Sequence, residues 1–288
     1  MQVFVLPPTR TLQSRTKPSH SQLQEFNQQA NTTLCVVLLA SPYRHDTFFA
    51  MPYLLQEVKD EGDFDEMLGM LHTAFDEPYN PLHRWFMPVY TTTEDTIQAT
   101  KQRIVKHWSH DDSLFWFKVT DTETGKVVGV AEWAIREKIT NPGEPQKPIE
   151  AQWHPEGSDE RIFTGKLVTS LKGFMKERMT RPHVELEQLA VAQEHRRRGV
   201  ATLLMNWGKQ KADELGIESC IESVPSAVPA YLALGYGDVD DLRPDVAVAN
   251  PSARYQEFAK QELRVVLMWR PVGRDYDRLK DNAPWKSA

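Results

Sequence analysis

The sequence predicts a single α/β domain with appendages, and three observations support this fold class. Strand-like and helix-like patterns alternate from about residue 51 onward. A hairpin pattern lies near the middle of the chain, and a buried strand later leads through a short turn into the best amphipathic helix of the sequence. The chain has 288 residues, of which 40% are hydrophobic, so it can bury a sizeable core.

The segment before this domain, residues 1–50, has no sustained period and is rich in Gln, Ser, Thr and Pro. We therefore expect a largely disordered extension. Its first 24 residues are basic and free of acidic side chains, which is compatible with a mitochondrial transit peptide. The preferred interpretation is a plain tail on a cytoplasmic protein, with the nucleus as a second compartment.

The first elements of the domain follow a strand-then-helix order. Residues 53–58 have strand character, and apolar side chains at helical spacing over 64–75 predict a helix with Asp63 as its cap. An aromatic loop over 76–90 follows, after which Thr93 is expected to cap a second helix.

The middle of the chain predicts a hairpin and then an insertion. Residues 114–119 and 127–135 are strand-like and flank a polar turn that ends at Gly125, a pattern typical of antiparallel hairpins. Residues 136–182 then carry a Pro-rich and charged surface loop and a helix, which we interpret as an insertion.

The last part of the domain alternates again between strand and helix. The predicted elements are a strand at 184–191, a helix at 199–215, a strand at 217–222, a short helix ending at Leu234 and a last strand at 263–269. The domain is thus predicted to span residues 51–271, and residues 272–288 form a polar tail.

The turn after the strand at 184–191 has the properties of an anion site. Its sequence is Arg196-Arg197-Arg198-Gly199-Val200-Ala201. The N–H groups in the first turn of a helix have no intrahelical partner, and the helix dipole adds partial positive charge there. Because Gly199 and Ala201 are small, a pyrophosphate can approach these amides.

This turn resembles the coenzyme A signature of the GNAT acyltransferases, Arg/Gln-x-x-Gly-x-Gly/Ala after a strand. The resemblance extends upstream to Leu189-Ala190-Val191 and downstream to residues 230–236, which are similar to the family's Tyr-x-x-x-Gly-aromatic element. Ala201, Gln193 and Ser226 depart from the commoner residues. The resemblance implies a GNAT domain whose central twisted mixed sheet is flanked by helices and splayed where acyl-CoA inserts.

The resemblance also implies an N-acetyltransferase, in which a primary amine attacks the thioester of acetyl-CoA directly in a ternary complex. Main-chain groups at the strand end and amides of the turn and helix would then bind acetyl-CoA. The cofactor-binding residues expected on this basis are Leu189, Ala190, Val191, Arg196, Arg197, Arg198, Gly199, Val200, Ala201 and Thr202.

Such a reaction needs a base and an acid. An aliphatic amine has a pKa of about 10.4, so a base must take its proton, and the departing thiolate needs a proton in return. Glu185 and Glu187 lie on one face of the strand by period-two alternation, and either is a candidate base, with a slight preference for Glu187. The resemblance makes Tyr231 the candidate acid and the N–H of Leu189 a donor to the oxyanion.

Several other classes of protein are disfavoured. The net charge of -6 argues against a general nucleic-acid binder, and no apolar run is long enough to span a membrane. The two cysteines, Cys35 and Cys220, are too few for a disulfide framework. The spacing of His107 and His110 matches no common zinc template, so we expect no metal.

Two alternatives remain open from the sequence. The chain is an active enzyme, or it is a catalytically inactive module of the same fold that senses acyl-CoA or binds a partner. A nucleotide or nucleic-acid binder that uses the three arginines is a further, disfavoured option. The acceptor amine, the length of the acyl group, the choice between the two glutamates, and the choice between monomer and homodimer also remain open.

Overall fold

A computed structural model describes residues 52–76, 79–88, 90–139 and 144–286, so the predictions for residues 1–50 lie outside the described part. The strands are β1 (Tyr53–Glu57), β2 (Leu114–Asp121), β3 (Val127–Arg136), β4 (His183–Val191), β5 (Glu218–Ser223), β6 (Gly237–Leu242) and β7 (Val265–Arg270). The helices are α1 (Asp63–Ala74), α2 (Pro81–Phe86), α3 (Thr93–Trp108), α4 (Asp159–Arg178), α5 (Val200–Leu215), α6 (Val228–Ala233) and α7 (Ala253–Ala259).

The strands form one seven-stranded sheet in the order β1-β2-β3-β4-β5-β7-β6. Every neighbouring pair is antiparallel except β4 and β5, which are parallel. The pairing of β4 with β5 ends at Leu186 and Ile221, although β4 continues to Val191. The two strands therefore separate towards their C-terminal ends and open a cleft in the sheet. The predicted mixed sheet with flanking helices is confirmed.

Helices cover both faces of the sheet. On one face, α5 packs against side chains of β2, β3 and β4, including Trp133 and Leu186. On the other face, α1 and α3 pack against Trp116 and Val130. A Cβ atom on Gly129 would lie 2.5 Å from Val200 Cγ1, so the glycine lets β3 approach the start of α5 closely. This contact fixes the N-terminus of α5 beside the cleft.

The central hairpin is confirmed, but both predicted helix caps are shifted by one residue. Leu114 pairs with Ala134 across β2 and β3. At the start of α3 the Thr92 side chain accepts the N–H of Asp95 at 3.0 Å, so the cap is Thr92 rather than Thr93. Asp63 is the first residue of α1 and forms an ion pair with Lys118 at 2.6 Å, so it is not the cap.

The predicted loop over residues 76–90 contains a helix, α2. The side chain of Asn80 accepts the N–H groups of Leu82 and His83 at 3.0 and 3.3 Å, and Pro81 occupies the first helical position. This Asn-Pro start is a local capping signal, but six residues are too few for a helical period to show in the sequence.

The prediction also missed β6 and α7, which lie between Gly235 and the last strand. The sequence of β6 is Gly-Asp-Val-Asp-Asp-Leu, which lacks the apolar content expected of a strand. It pairs with β7 on one side only, so its acidic side chains remain at the edge of the sheet. Polar residues are common on such edge strands because they discourage further pairing.

The predicted insertion contributes to the core of the domain. Its helix α4 begins after Ser158, whose side chain accepts the N–H of Arg161 at 3.2 Å. Phe163 and Leu167 on α4 pack with α7 and β7, and Phe174 packs with the far end of the sheet. The C-terminal segment, which the sequence presents as a polar tail, also packs here, with Ala283 2% exposed.

Candidate active site

The cleft between the separated ends of β4 and β5 holds a cavity of about 560 Å³. Residues from β4, from the segment that follows β5, and from the end of α1 surround it. Four of the predicted cofactor-binding residues line this cavity: Leu189, Ala190, Val191 and Arg196. The structure therefore places the predicted strand end and the first arginine of the motif together.

The backbone of β4 presents free groups to this cleft. Ala192 donates its N–H to Val128 O at 2.9 Å, towards β3. Because N–H groups alternate in direction along a strand, those of Leu189 and Val191 point away from β3, to the side where β5 no longer pairs. The N–H of Leu189 is thus available to an acyl oxygen or to pantetheine.

The turn before α5 leaves a row of amides without helical partners. Arg197 and Gly199 have φ values of 63° and 88°, so both lie in the left-handed region, which is rare for a non-glycine residue. The first backbone bond into the helix runs from Leu203 N–H to Gly199 O at 3.1 Å. The N–H groups of residues 197–202, including those of Val200, Ala201 and Thr202, are therefore the unsatisfied donors of this helix start.

The three arginines of the motif differ in what they contact. Arg196 donates through Nε to Val191 O at 3.1 Å and through Nη2 to Ala74 O at 2.9 Å. It therefore ties the end of α1 to the end of β4. Arg197 and Arg198 are exposed, and neither forms an ion pair with any described carboxylate. Their guanidinium groups are available to bind phosphate groups at the start of the helix.

Tyr231 lies on α6, beside this cleft. Its side chain is 8% exposed and belongs to the core cluster that packs against α5. Burial raises the pKa of Tyr231 above its usual value, so the hydroxyl keeps its proton at neutral pH. The preceding residue, Ala230, lines the cavity, whereas Tyr231 is not among its lining residues. Its role as the acid stays a prediction.

The two predicted bases lie together on β4, but they are held in ion pairs. Lys172 Nζ lies 3.7 Å from Glu185 and 3.0 Å from Glu187, and Arg136 lies 3.4 Å from Glu187. Burial tends to raise the pKa of Glu187, but Lys172 and Arg136 outweigh it and the net shift is downward. Burial and the charge of Glu187 raise the pKa of Glu185.

A second, larger cavity of about 810 Å³ adjoins the cleft. Phe75, Asn80, Leu82 and Val224 line both cavities, so a molecule in one can reach a molecule in the other. The sheet side of the larger cavity carries two carboxyl groups, and α2 and α3 form the opposite side. Glu185 and Glu187 are not among its lining residues.

The two carboxyl groups in this larger cavity belong to Glu132 on β3 and Glu222 on β5. Burial raises the pKa of Glu132 to about 8, with a further upward contribution from Glu187. Burial also raises the pKa of Glu222 to about 8, although Lys172 opposes it. Gln188 donates to Glu132 Oε2 at 3.0 Å, whereas Glu222 Oε1 is buried without a hydrogen-bond partner.

Neither of these glutamates was identified from the sequence. Glu132 is the one acidic residue in a strand, Val127–Arg136, that is otherwise apolar until its last residue, and this was an available signal that it has a polar role. Glu222 gave no comparable signal, since it occupies the end of a short strand of mixed composition. Its position matters because it lies just beyond the last pairing of β4 with β5.

Comparison with known proteins identifies the family. A family model described as acetyltransferase (GNAT) family matches residues 79–236, more than half of the chain. The chain belongs to the GNAT acetyltransferase family. This family uses acetyl-CoA, and its fold binds acetyl-CoA and an acceptor substrate, so the protein is an acyltransferase. No curated protein sequence matches the chain.

Solved GNAT acetyltransferases are similar to the chain at low identity. A structure titled histone acetyltransferase HPA2 and related acetyltransferase, from Corynebacterium glutamicum, is 19% identical, with a TM-score of 0.48 over 79% of this chain and 100% of its own. Phosphinothricin acetyltransferase from Sinorhizobium meliloti, in complex with AcCoA, is 14% identical, with a TM-score of 0.43 over 77% and 90%. Mosquito arylalkylamine N-acetyltransferase like 5b is 13% identical, with a TM-score of 0.48 over 75% and 98%.

Two features are absent from the described residues. No group of three or more His, Cys, Asp or Glu side chains there has a geometry that could hold a metal ion. None of the helices in the described ranges combines the length and the apolar character that a bilayer crossing requires.

Proposed function

We propose that this GNAT protein transfers an acetyl group from acetyl-CoA to a primary amine, with Glu222 as the base. The observation that carries the proposal is the position of Glu222. Its carboxyl group lines the larger cavity where β4 and β5 separate, and Val224, two residues further on, lines both cavities. An amine in the larger cavity and a thioester in the cleft would therefore lie next to each other beside Glu222 and Val224.

The residues around the cleft fit a CoA thioester. The free amides of residues 197–202 and the guanidinium groups of Arg197 and Arg198 would bind the diphosphate. The N–H groups of Leu189 and Val191 would bind pantetheine or the acyl oxygen, and a developing oxyanion at Leu189 would be stabilised by that donor. Small side chains, Ala201 and Gly199, leave space beside these amides.

The proton balance assigns one task to each catalytic group. In the ionised state Glu222 accepts one proton from the substrate ammonium, and the neutral amine then adds to the thioester carbon, forming the C–N bond and the oxyanion. Collapse of the oxyanion breaks the C–S bond, and Tyr231 gives its proton to the departing thiolate. The second proton lost by the nitrogen restores Tyr231, and the proton on Glu222 passes to solvent. The products are an acetamide and free CoA thiol, with one proton released to solvent. A pKa of about 8 lies closer to that of the amine, near 10, than the ordinary 4.5 of a carboxyl group, so Glu222 takes the ammonium proton at a smaller free-energy cost.

Glu222 is preferred as the base over Glu132, Glu185 and Glu187 because the carboxyl groups of these three are engaged by other side chains. Glu185 and Glu187 are engaged by Lys172, and Glu132 accepts a hydrogen bond from Gln188. Glu222 has an oxygen without a partner. We therefore propose that Glu132 and Gln188 position the amine while Glu222 takes its proton. The base role inferred for Glu185 or Glu187 is the competing hypothesis.

The proposal is tested by following thiol release from acetyl-CoA with a panel of primary amines. Glu222→Gln should lower kcat by about 100-fold or more, in the range that general bases contribute. Tyr231→Phe should lower kcat with little change in KM. Glu214→Gln, on the exposed face of α5, is the charge-matched control. Acetyl-CoA binding without thiol release for any amine would instead support the inactive sensor.

A further inference from the structure

Charged side chains are segregated in the larger cavity. The sheet side carries the carboxyl groups of Glu132 and Glu222, where the amine is proposed to bind. The α3 side carries only basic and neutral groups. The basic residues that line it are Arg103, Lys106 and His107 on α3 and His110 just after the helix. The sheet side and the α3 side of the cavity thus offer opposite charge to a ligand.

Arg103 and Lys106, the arginine and lysine of α3 that line the cavity, have no anionic partner within the described residues. No described carboxylate oxygen lies within ion-pair distance of Arg103 or Lys106, whereas Lys101 on the same helix pairs with Asp65 at 2.7 Å. The guanidinium of Arg103 donates to Phe86 O and lies 4.8 Å from the centre of the Trp153 ring. Its remaining donors are available, and a partly buried guanidinium without a counter-charge favours an anionic ligand.

The space between the sheet side and the α3 side has apolar walls and a few polar atoms without hydrogen-bond partners. Among the lining side chains, His83 Nε2, Thr100 Oγ1 and Glu222 Oε1 are buried without hydrogen-bond partners. Buried polar atoms in proteins are nearly always hydrogen-bonded, so these three point to a ligand or water that supplies their partners. Phe86, Met87, Ile104, Trp153 and Leu171 form apolar parts of the wall.

His83 is suited to a neutral role in this cavity. Burial lowers the pKa of His83 to about 3, with further contributions from His72 and Arg103, and the ring stacks on Phe75 with centroids 4.1 Å apart. The imidazole is therefore uncharged at neutral pH. It can bind a polar group of a substrate without repelling an ammonium group at the sheet side.

Helix geometry gives the length of the α3 wall of the cavity. Thr100, Arg103 and His107 are separated by three and four residues, so they share one face of α3. At 1.5 Å per residue, the distance along the helix from the buried Thr100 to the exposed His107 is about 10 Å. A ligand that lies along this whole wall is therefore an extended molecule.

From these observations we infer that the acceptor is an amine with an apolar body and an anionic group, a carboxylate or phosphate, at the end remote from the amine. The amine binds at Glu132 and Glu222, and the anion binds at Arg103 and Lys106. The inference rests on the proposed acetyl transfer, because that reaction places the amine at the sheet side. It narrows the acceptor from primary amines in general to amphipathic, zwitterionic ones.

The test uses three phenylalkylamines that share one body and carry hydrogen, a carboxylate or an aminomethyl group at the far end of the ring. Thiol release from acetyl-CoA is measured for each with the full chain. We expect kcat/KM to be at least about tenfold higher for the carboxylate than for the neutral compound, and lowest for the diamine. A phosphate-bearing analogue distinguishes a carboxylate site from a phosphate site.

Variants on α3 link the preference to the proposed residues. Lys106→Gln, at an exposed position, and Arg103→Gln should each lower the ratio of kcat/KM for the carboxylate compound to kcat/KM for the neutral compound. Lys101→Gln, on the same helix but paired with Asp65, should leave this ratio unchanged. Equal turnover of the three amines, or a preference that survives both variants, would overturn the inference.

The failure of the inference can be separated from failure of the proposed function. If no amine releases thiol, acetyl transfer is contradicted, and calorimetric binding of the same three amines then tests the cavity directly. Binding of the carboxylate compound that weakens in Lys106→Gln would still support the anion site. Absence of such binding would contradict it.

Discussion

Lys172 on α4 donates to both carboxylate oxygens of Glu187 on β4, at 3.2 and 3.0 Å. The same ammonium lies 3.7 Å from Glu185. A helix that the sequence presents as an insertion thus supplies the counter-charge for two glutamates of the central strand. Their carboxylates are engaged in ion pairs, whereas the carboxyl groups of Glu132 and Glu222 line the larger cavity.

The first prediction concerns the stability conferred by Lys172. Lys172→Met should lower the free energy of unfolding by about 2 kcal/mol, because it removes one of the two cations that compensate Glu185 and Glu187 and leaves only Arg136. Urea titration measures the change. Lys166→Met, at an exposed site of the same helix, should change the stability little. Equal stability of the two variants would show that the ion pairs contribute nothing measurable.

The second prediction concerns the pH dependence of turnover. A base with a pKa of about 8 must be ionised to accept a proton, so kcat/KM should rise as pH increases towards about 8 and fall again above the pKa of the amine, near 10. Glu222→Gln should abolish most of the activity at every pH. Glu132→Gln should keep a larger part of the activity. If Glu132→Gln instead lost more activity than Glu222→Gln, Glu132 would be the base.

The third prediction concerns the stability cost of Glu222. The pKa of Glu222 is about 8 in the folded protein, above the ordinary value of 4.5. The contribution of Glu222 to the free energy of unfolding is therefore most favourable below pH 4.5, where the group is protonated in both the folded and the unfolded state, and it is lost as pH rises to about 8. Glutamine does not titrate. Glu222→Gln should therefore raise Tm by several degrees at pH 8 and by much less at pH 4.5. Thermal scans at both pH values, with Glu214→Gln as control, measure this difference.

The fourth prediction concerns the amides at the start of α5. Ala201→Glu should abolish calorimetric binding of acetyl-CoA, because a bulky carboxylate in the first turn would occupy the diphosphate site and repel it. The helix itself should tolerate the change, since an acidic side chain near its N-terminus is favourable. Gln210→Glu, on an exposed position of the same helix, adds the same charge away from the site and should bind normally. Undiminished binding in both variants would refute the assignment of this site.

Much of the cleft was predictable because its signals are local. The strand end at Leu189 to Val191, the turn with Gly199 and the amphipathic helix after it are contiguous, so one segment determines the free amides and the conformation around them. The positive φ of Gly199 and the stop at Gly216, with φ 66°, are likewise conferred by single residues. Capping by Asn80 was a local signal too, although the helix it starts was too short to identify.

The choice among the glutamates depends on the tertiary structure. Glu132, Glu185 and Glu222 lie on three different strands, and Lys172 lies on a helix that the sequence alone presents as an insertion. Whether a carboxyl group is paired or free follows from which of these elements pack together, and burial then sets its pKa. The order of neighbouring residues in the chain does not contain this information.

The sequence by itself determined the fold class, the family motif and the start of α5, because hydrophobic periodicity and turn chemistry act over a few residues. Only the tertiary structure decided that Glu185 and Glu187 are paired with Lys172, that Glu222 has an oxygen without a partner, and that unpaired cations of α3 lie opposite the carboxyl groups. The physical reason is that ion pairing and desolvation depend on distances between segments far apart in the chain.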